Sequence, residues 1–198
     1  MVLFTATEPN NRWRTFVGQI IGSAKELDAE MLVTLGAFLT DVPHSREVPV
    51  VGSAYSEDTA AALGLTRSQY EGPTGVVGVL HDASNRSGLP SVSLWAATPH
   101  YLPAGPNPKA ALALVRRVSD LLGVAVDIGP LREAVSRWEE GVSRLLGGSE
   151  ELAEYVGRLE AAADEAASEA DDDLRPATGE ALAAEVERFL REQERGSP

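Results

Sequence analysis

Residues 94–114 read LWAATPHYLPAGPNPKAALAL, and their order decides the fold. The apolar run into Thr98 suits a buried strand, and Pro99 stops it. His100 and Tyr101 follow, then a Pro/Gly-rich turn. Asn107 is a good helix N-cap, with Pro108 at the favoured first helical position. The helix predicted from there to Leu122 places Leu112, Val115, Val118 and Leu122 on one side, and Gly123 ends it. A strand feeding a helix through such a loop is the repeating unit of an α/β fold.

The same alternation runs upstream. Residues 2–8 (VLFTATE) read as a short strand. Trp13, Phe16, Val17, Ile20 and Ile21 fall at helical spacing, with Asn10 or Asn11 placed to cap that helix. MLVTLGAF (31–38) has no polar alternation, as expected of a strand covered on both faces. A proline-punctuated loop, LTDVPHSREVPV, leads to a further strand at VVGSAYS. SEDTAAALGL predicts a short helix capped by Ser56 or Asp58. Gly72 and Gly75 bracket a turn in which Thr74 can cap a helix from Val76 to about Asn85. The expectation is a three-layer α/β/α domain, with a mostly parallel sheet and helices on both faces. It spans 1–128.

Beyond Val126 the pattern changes. Leu131, Val135, Trp138, Val142 and Leu145 are spaced four, three, four, three, a coiled-coil-like seam. Gly147, Gly148 and Ser149 break it, and EELAEYVGRLEAAADEAASEA continues as a second amphipathic helix. Two helices joined by a short glycine turn predict an antiparallel hairpin. The Asp171–Asp173 run reads as a loop, and TGEALAAEVERFLRE (178–192) as a last amphipathic helix. Residues 129–198 are thus expected to form a helical extension.

The extension carries most of the charge. The chain has 198 residues and a net charge of −13, and residues 130–198 hold 18 of its 30 acids against 8 arginines. No basic footprint for nucleic acid is visible. There is no cysteine, hence no disulfide framework and no thiolate nucleophile or metal site. No apolar run approaches a membrane span, and the first residues lack a signal-peptide pattern. These features predict a cytoplasmic protein without membrane or nucleic-acid partners. Two lysines against fifteen arginines, with heavy Ala, Gly and Val usage, suggest a GC-rich bacterial source.

Ligands of parallel α/β sheets bind beyond the carboxyl ends of the strands. The loops at 41–46, 71–75 and 99–109 follow strands or precede helices in that way. They offer His44, Arg46, Thr74, Gly75, His100, Tyr101 and Lys109 as a candidate rim for a ligand or partner. The helix starts after Thr74 and Asn107 present free amides to an anion, and a histidine can serve as acid or base. The same residues also have a plain local reading, as strand stop, turn and helix cap. No phosphate-binding loop, GxSxG elbow or HExxH is present. Histidines 44, 81 and 100 are too scattered to argue for a metal, so neither cofactor nor metal is expected and no catalytic residue is assigned.

SLWAATPHY...GPNPKAALAL, preceded by YEGPTGVVGVL, resembles the PAC2 (proteasome assembly chaperone 2) family in its actinobacterial form. LGAFLTDVPHSREVPV carries a VPHSR segment of the family's kind. EPNNRWRTF shows an EP-x-x-x-W pattern, and EALAAEVERFLRE resembles the family's tail. The resemblance implies a fold like that of nucleoside phosphorylases and peptidyl-tRNA hydrolases. It also implies a non-catalytic assembly or interaction protein that partners itself, as a homo-oligomer such as a trimer, or proteasome subunits. Its alternative is a small-molecule binder or an enzyme of phosphorylase or hydrolase type using the rim. Family members carry roughly a hundred residues, a domain's worth, before the strand that begins here, so the chain reads as lacking the usual N-terminal part. A half-sheet of that kind exposes an edge.

Overall fold

The computed structural model describes residues 1–67, 75–102 and 105–174. Its elements run α1 (Trp13–Glu26), β1 (Leu32–Thr40), β2 (Val50–Ala54), α2 (Glu57–Leu63), β3 (Thr66–Arg67), α3 (Val76–Arg86), β4 (Ser91–Pro99), α4 (Pro108–Leu122), α5 (Gly129–Leu146) and α6 (Glu150–Leu174). The α/β class stands. The sheet order is β1-β4-β2-β3.

The sheet is mixed, which corrects the expectation of a mostly parallel one. β1 and β4 pair in parallel from Leu32 opposite Ser91 to Thr40 opposite Pro99. β2 runs antiparallel to β4 and parallel to β3. The reason lies in the connections. A parallel return needs a crossover of about a dozen residues or more, usually a helix. Only residues 41–49 separate β1 from β2, and they contain no helix. The chain therefore re-enters the sheet at the end where β1 left it and must run back.

Local chemistry explains most of the helix ends. Asn107 Oδ1 accepts from the Ala110 amide at 3.0 Å, and the Ser56 hydroxyl accepts from the Thr59 amide at 3.2 Å. Gly123 closes α4 at φ 63°, where a side chain would be strained. α1 departs from expectation. Its cap is Arg12 in left-handed backbone, not Asn10 or Asn11, and the Trp13 indole reaches back to the Pro9 carbonyl at 2.6 Å. Residues 2–8 are not a strand in this fold. Asp171–Asp173 continue α6 rather than forming a loop. The helix expected at 178–192 lies outside the described residues, as does the turn at Gly72.

Two apolar clusters hold the α/β part. One joins Val17 and Ile21 of α1 to Val76 of α3 and to Leu89. The other joins Val92 and Leu94 of β4 to Ala54 and Ala60, with Leu114, Val118 and Leu121 of α4 packed against them. Val92 and Leu94 are fully buried, each worth about 1.5–3 kcal/mol over exposure. β1 is covered less well than its composition predicts, because it lies at the sheet's edge. Leu35 is 53% exposed and Leu39 70%.

A polar file crosses the sheet beneath α3. The Trp95 indole donates to Ser93 Oγ at 2.7 Å, and the Thr34 hydroxyl donates to the same oxygen at 3.0 Å. Thr34 Oγ1 lies 2.9 Å from His81 Nε2. With the threonine proton committed to Ser93, His81 donates from Nε2, and its buried Nδ1 has no hydrogen-bond partner among the described residues.

Candidate functional site

The mixed topology decides where the rim forms. β1 and β4 end side by side, so the loops that follow them meet at one end of the sheet. His44 lies in the first loop and Tyr101 in the second. The His44 amide donates to the Tyr101 phenol oxygen at 2.8 Å. The His44 Nδ1 lies 2.9 Å from the same oxygen, so the phenol proton is free to be given to a neutral imidazole. Burial, and next the Lys109 ammonium, lower the His44 pKa, while Glu160 and Glu139 oppose them. Burial likewise raises that of the Tyr101 phenol.

Lys109, in the first turn of α4, closes this arrangement. Its Nζ donates to the His44 carbonyl at 2.7 Å and pairs with Glu139 of α5 at 2.7 Å. Trp138, one residue earlier on α5, sets its ring edge-on to His44 with centroids 6.5 Å apart. The helical seam residue is therefore part of this joint.

α6 supplies the remaining contacts. Arg46 grips Asp164 through Nε at 2.6 Å and Nη2 at 2.8 Å, a two-pronged ion pair. Its Nη1 lies 3.7 Å from Glu160, and Ser45 donates to the same Glu160. His100 Nδ1 stands 3.0 Å from Asp41 Oδ1, which also accepts from the Tyr155 hydroxyl at 3.0 Å. The rings of His100, Tyr101 and Tyr155 meet edge to face at centroid distances of 5.8–6.0 Å.

Of the seven rim residues taken from the sequence, five come together: His44, Arg46, His100, Tyr101 and Lys109. Gly75 does not join them. It caps α3, where the Val76 amide faces the Glu8 carboxylate at 3.4 Å. Thr74 lies outside the described residues. The rim is also more than those residues, because Asp41, Glu139, Tyr155, Glu160 and Asp164 complete it. For Glu139, Glu160 and Asp164 the signal was charge; for Asp41 and Tyr155 there was none. Arg46 and Lys109 are cations ahead of an acidic extension, and a compact chain has reason to pair them.

Chemically, the arrangement is a filled joint. Lys109, Arg46 and the Tyr101 hydroxyl are each engaged with protein groups. A surface groove of about 730 Å³ runs beside Ser136, Glu139, Glu140 and Arg144 of α5 and so borders the rim at Glu139, and another of about 500 Å³ lies between α1 and α3. Neither is lined by His44, His100 or Tyr101. Among the described residues no group of His, Asp and Glu is placed to hold a metal ion, and no helix is long and apolar enough to cross a membrane.

The PAC2 family model matches residues 1–146, which carry both strand-end loops and α5. The chain belongs to the PAC2 family. Among solved structures, a PAC2 family protein of Streptomyces avermitilis is 47% identical, with a TM-score of 0.69, over 76% of this chain and 63% of that one. The proteasome-assembly chaperone homologue of Mycobacterium tuberculosis is 46% identical, with a TM-score of 0.66, over 76% of this chain and 64% of that one. An archaeal homologue of proteasome-assembly chaperone from Pyrococcus furiosus is 25% identical, with a TM-score of 0.54, over 70% and 62%. This PAC2 chain thus spans less than two thirds of the length of these relatives. None of the curated proteins matches it.

Proposed function

We propose that this PAC2 chain is a non-catalytic assembly or interaction protein, with proteasome subunits as the partner class. The reading is supported by its similarity to a proteasome-assembly chaperone homologue at 46% identity. The observation that carries it is the engagement of the rim. Groups that an enzyme would keep free for substrate are engaged with the protein instead: Lys109 pairs with Glu139 of α5, Arg46 with Asp164 of α6, and the Tyr101 hydroxyl meets His44.

The finer architecture belongs to the same reading. The two apolar clusters support helices on both faces of the sheet, a three-layer domain of phosphorylase or hydrolase type over 1–128. Residues 129–198 are then an acidic extension whose helices α5 and α6 offer a long surface to another chain. A cytoplasmic, self-associating protein fits this role.

The test mixes the purified chain with purified 20S proteasome subunits and follows ring assembly by native gel and sedimentation. Binding of an assembly intermediate, or faster ring formation, is expected. Unchanged assembly kinetics at a several-fold excess of the chain would sink the proposal.

The meeting of His44, His100 and Tyr101 favours a second reading, a small-molecule site uncovered when α6 lifts. Nucleosides, phosphate and amino acids would then raise the melting temperature, and His100→Ala would abolish the shift. A flat response across all three classes excludes it.

A further inference from the structure

The edge of β1 away from β4 has no partner strand among the described residues. The pairing with β4 is continuous over nine residues and contains no bulge. Leu32 donates its amide toward β4, to the Pro90 carbonyl, and Thr40 accepts there from His100. The amides and carbonyls of the alternate residues, Val33, Leu35, Ala37 and Leu39, therefore point outward. This edge has none of the usual protections. LVTLGAFLT contains no charge and no proline, and Leu35 and Leu39 are exposed. A long, flat, apolar edge is a template for another strand.

The same chain carries a segment that fits it. Residues 2–7, VLFTAT, are uncharged and rich in strand-forming types. They form no strand here, and Leu3 is 85% exposed. No main-chain hydrogen bond is made by these six residues among the described ones. Their C-terminal end is tied to α1 and α3. Glu8 faces the first amide of α3, Pro9 accepts from Trp13, and the Phe4 ring meets the Phe16 ring of α1 at a centroid distance of 6.3 Å.

We propose that residues 2–7 of one copy add as a fifth strand along the β1 edge of a second copy, reciprocally. Donor and acceptor lie in one chain, so a two-fold axis satisfies both edges at once and closes the assembly at a dimer. Electrostatics select this contact. Copies carrying a net charge of −13 each repel one another over most of their surface, whereas both strands of the exchange are neutral. Reciprocity also buries the same pair of strands twice, a route toward the ~1,200 Å² that a stable interface needs. The surface is distinct from the rim and goes beyond the assembly role proposed above.

The chain has no cysteine, so placed thiols report without background. Thr5→Cys chains are mixed with Leu35→Cys chains and oxidised, with Thr5→Cys plus Arg116→Cys as the control pair. The parent is expected to sediment as a dimer at micromolar concentration. The first mixture should give several-fold more disulfide-linked heterodimer than the control. Ala37→Pro removes an outward amide that the chain's own sheet does not use, and deleting residues 2–7 removes the donor. Each should convert the dimer to a monomer with unchanged far-UV circular dichroism. A parent that stays monomeric at every concentration overturns the proposal. So does a Thr5→Cys/Leu35→Cys double variant that closes only within one chain, or a dimer that survives the deletion.

Discussion

Lys109 donates to the carbonyl oxygen of His44 across 65 residues of sequence, at 2.7 Å. This bond ties the first turn of α4 to the loop after β1. Because Lys109 also pairs with Glu139, one ammonium joins the sheet, α4 and α5. Replacing it with Met keeps the aliphatic stem and leaves both oxygens without their cation. Lys109→Met should cost about 1–3 kcal/mol in urea unfolding, with an unchanged slope. A loss below a few tenths would mean that water replaces the ammonium without penalty.

The two ends of that bond were unequally legible. Lys109 follows Asn107-Pro108, where capping chemistry is local, and the structure places the cap, the proline and Gly123 as read. His44 was readable as a candidate rim residue on the loop after β1, but its bonding partner was not. Its partnership with Tyr101 depends on β4 entering the sheet between β1 and β2 and pairing with β1 in parallel. That insertion is a long-range choice between strands separated by residues 41–90, which local composition does not advertise. The uncovered state of β1 was misread for a related reason. Apolar runs report what a strand can tolerate, not whether a helix lies over it. Residues 2–8 illustrate the same point, with strand composition and no strand beside them.

Acid should weaken the fold through His81. Burial lowers its pKa below the ordinary 6.5, and the shift at His44 has the same direction. The unfolded chain then binds more protons than the folded one as pH falls past 6.5. The stability contributed by these neutral rings is fully present above that value and is lost progressively below it. Thermal melts at pH 7.5 and 5.5 should show a clear drop, and His81→Gln should shrink it. An equal drop in the variant would assign the effect to other groups.

The Arg46–Asp164 pair lies at the surface, where ion pairs add little to global stability and salt screens them. Arg46→Glu is therefore expected to leave the main unfolding transition nearly in place. Hydrogen exchange along α6 should accelerate around residues 160–164 and return toward the parent in the Arg46→Glu/Asp164→Arg swap. A faster exchange confined to α1 or α3 would contradict the joint described here. In the parent, 0.5 M salt should mimic the single variant.

Gly36 leaves room for an aromatic ring. A Cβ there would come within 2.7 Å of the Trp95 six-membered ring, far inside ordinary contact. Gly36→Ala must push the indole aside and stretch its bond to Ser93. The expected cost is about 1–3 kcal/mol, with a shift of tryptophan emission. Emission identical to the parent would show that the ring moves freely already.

The chain's three tryptophans occupy three separate seams. Trp13 marks the start of α1 through its bond to Pro9, Trp95 sits on the sheet above Gly36, and Trp138 stands against His44 where the helical pair meets the rim. Retaining one indole at a time would turn each seam into its own optical clock. The order in which the three signals change during unfolding would then tell whether the acidic helices come away before the sheet breaks or only with it.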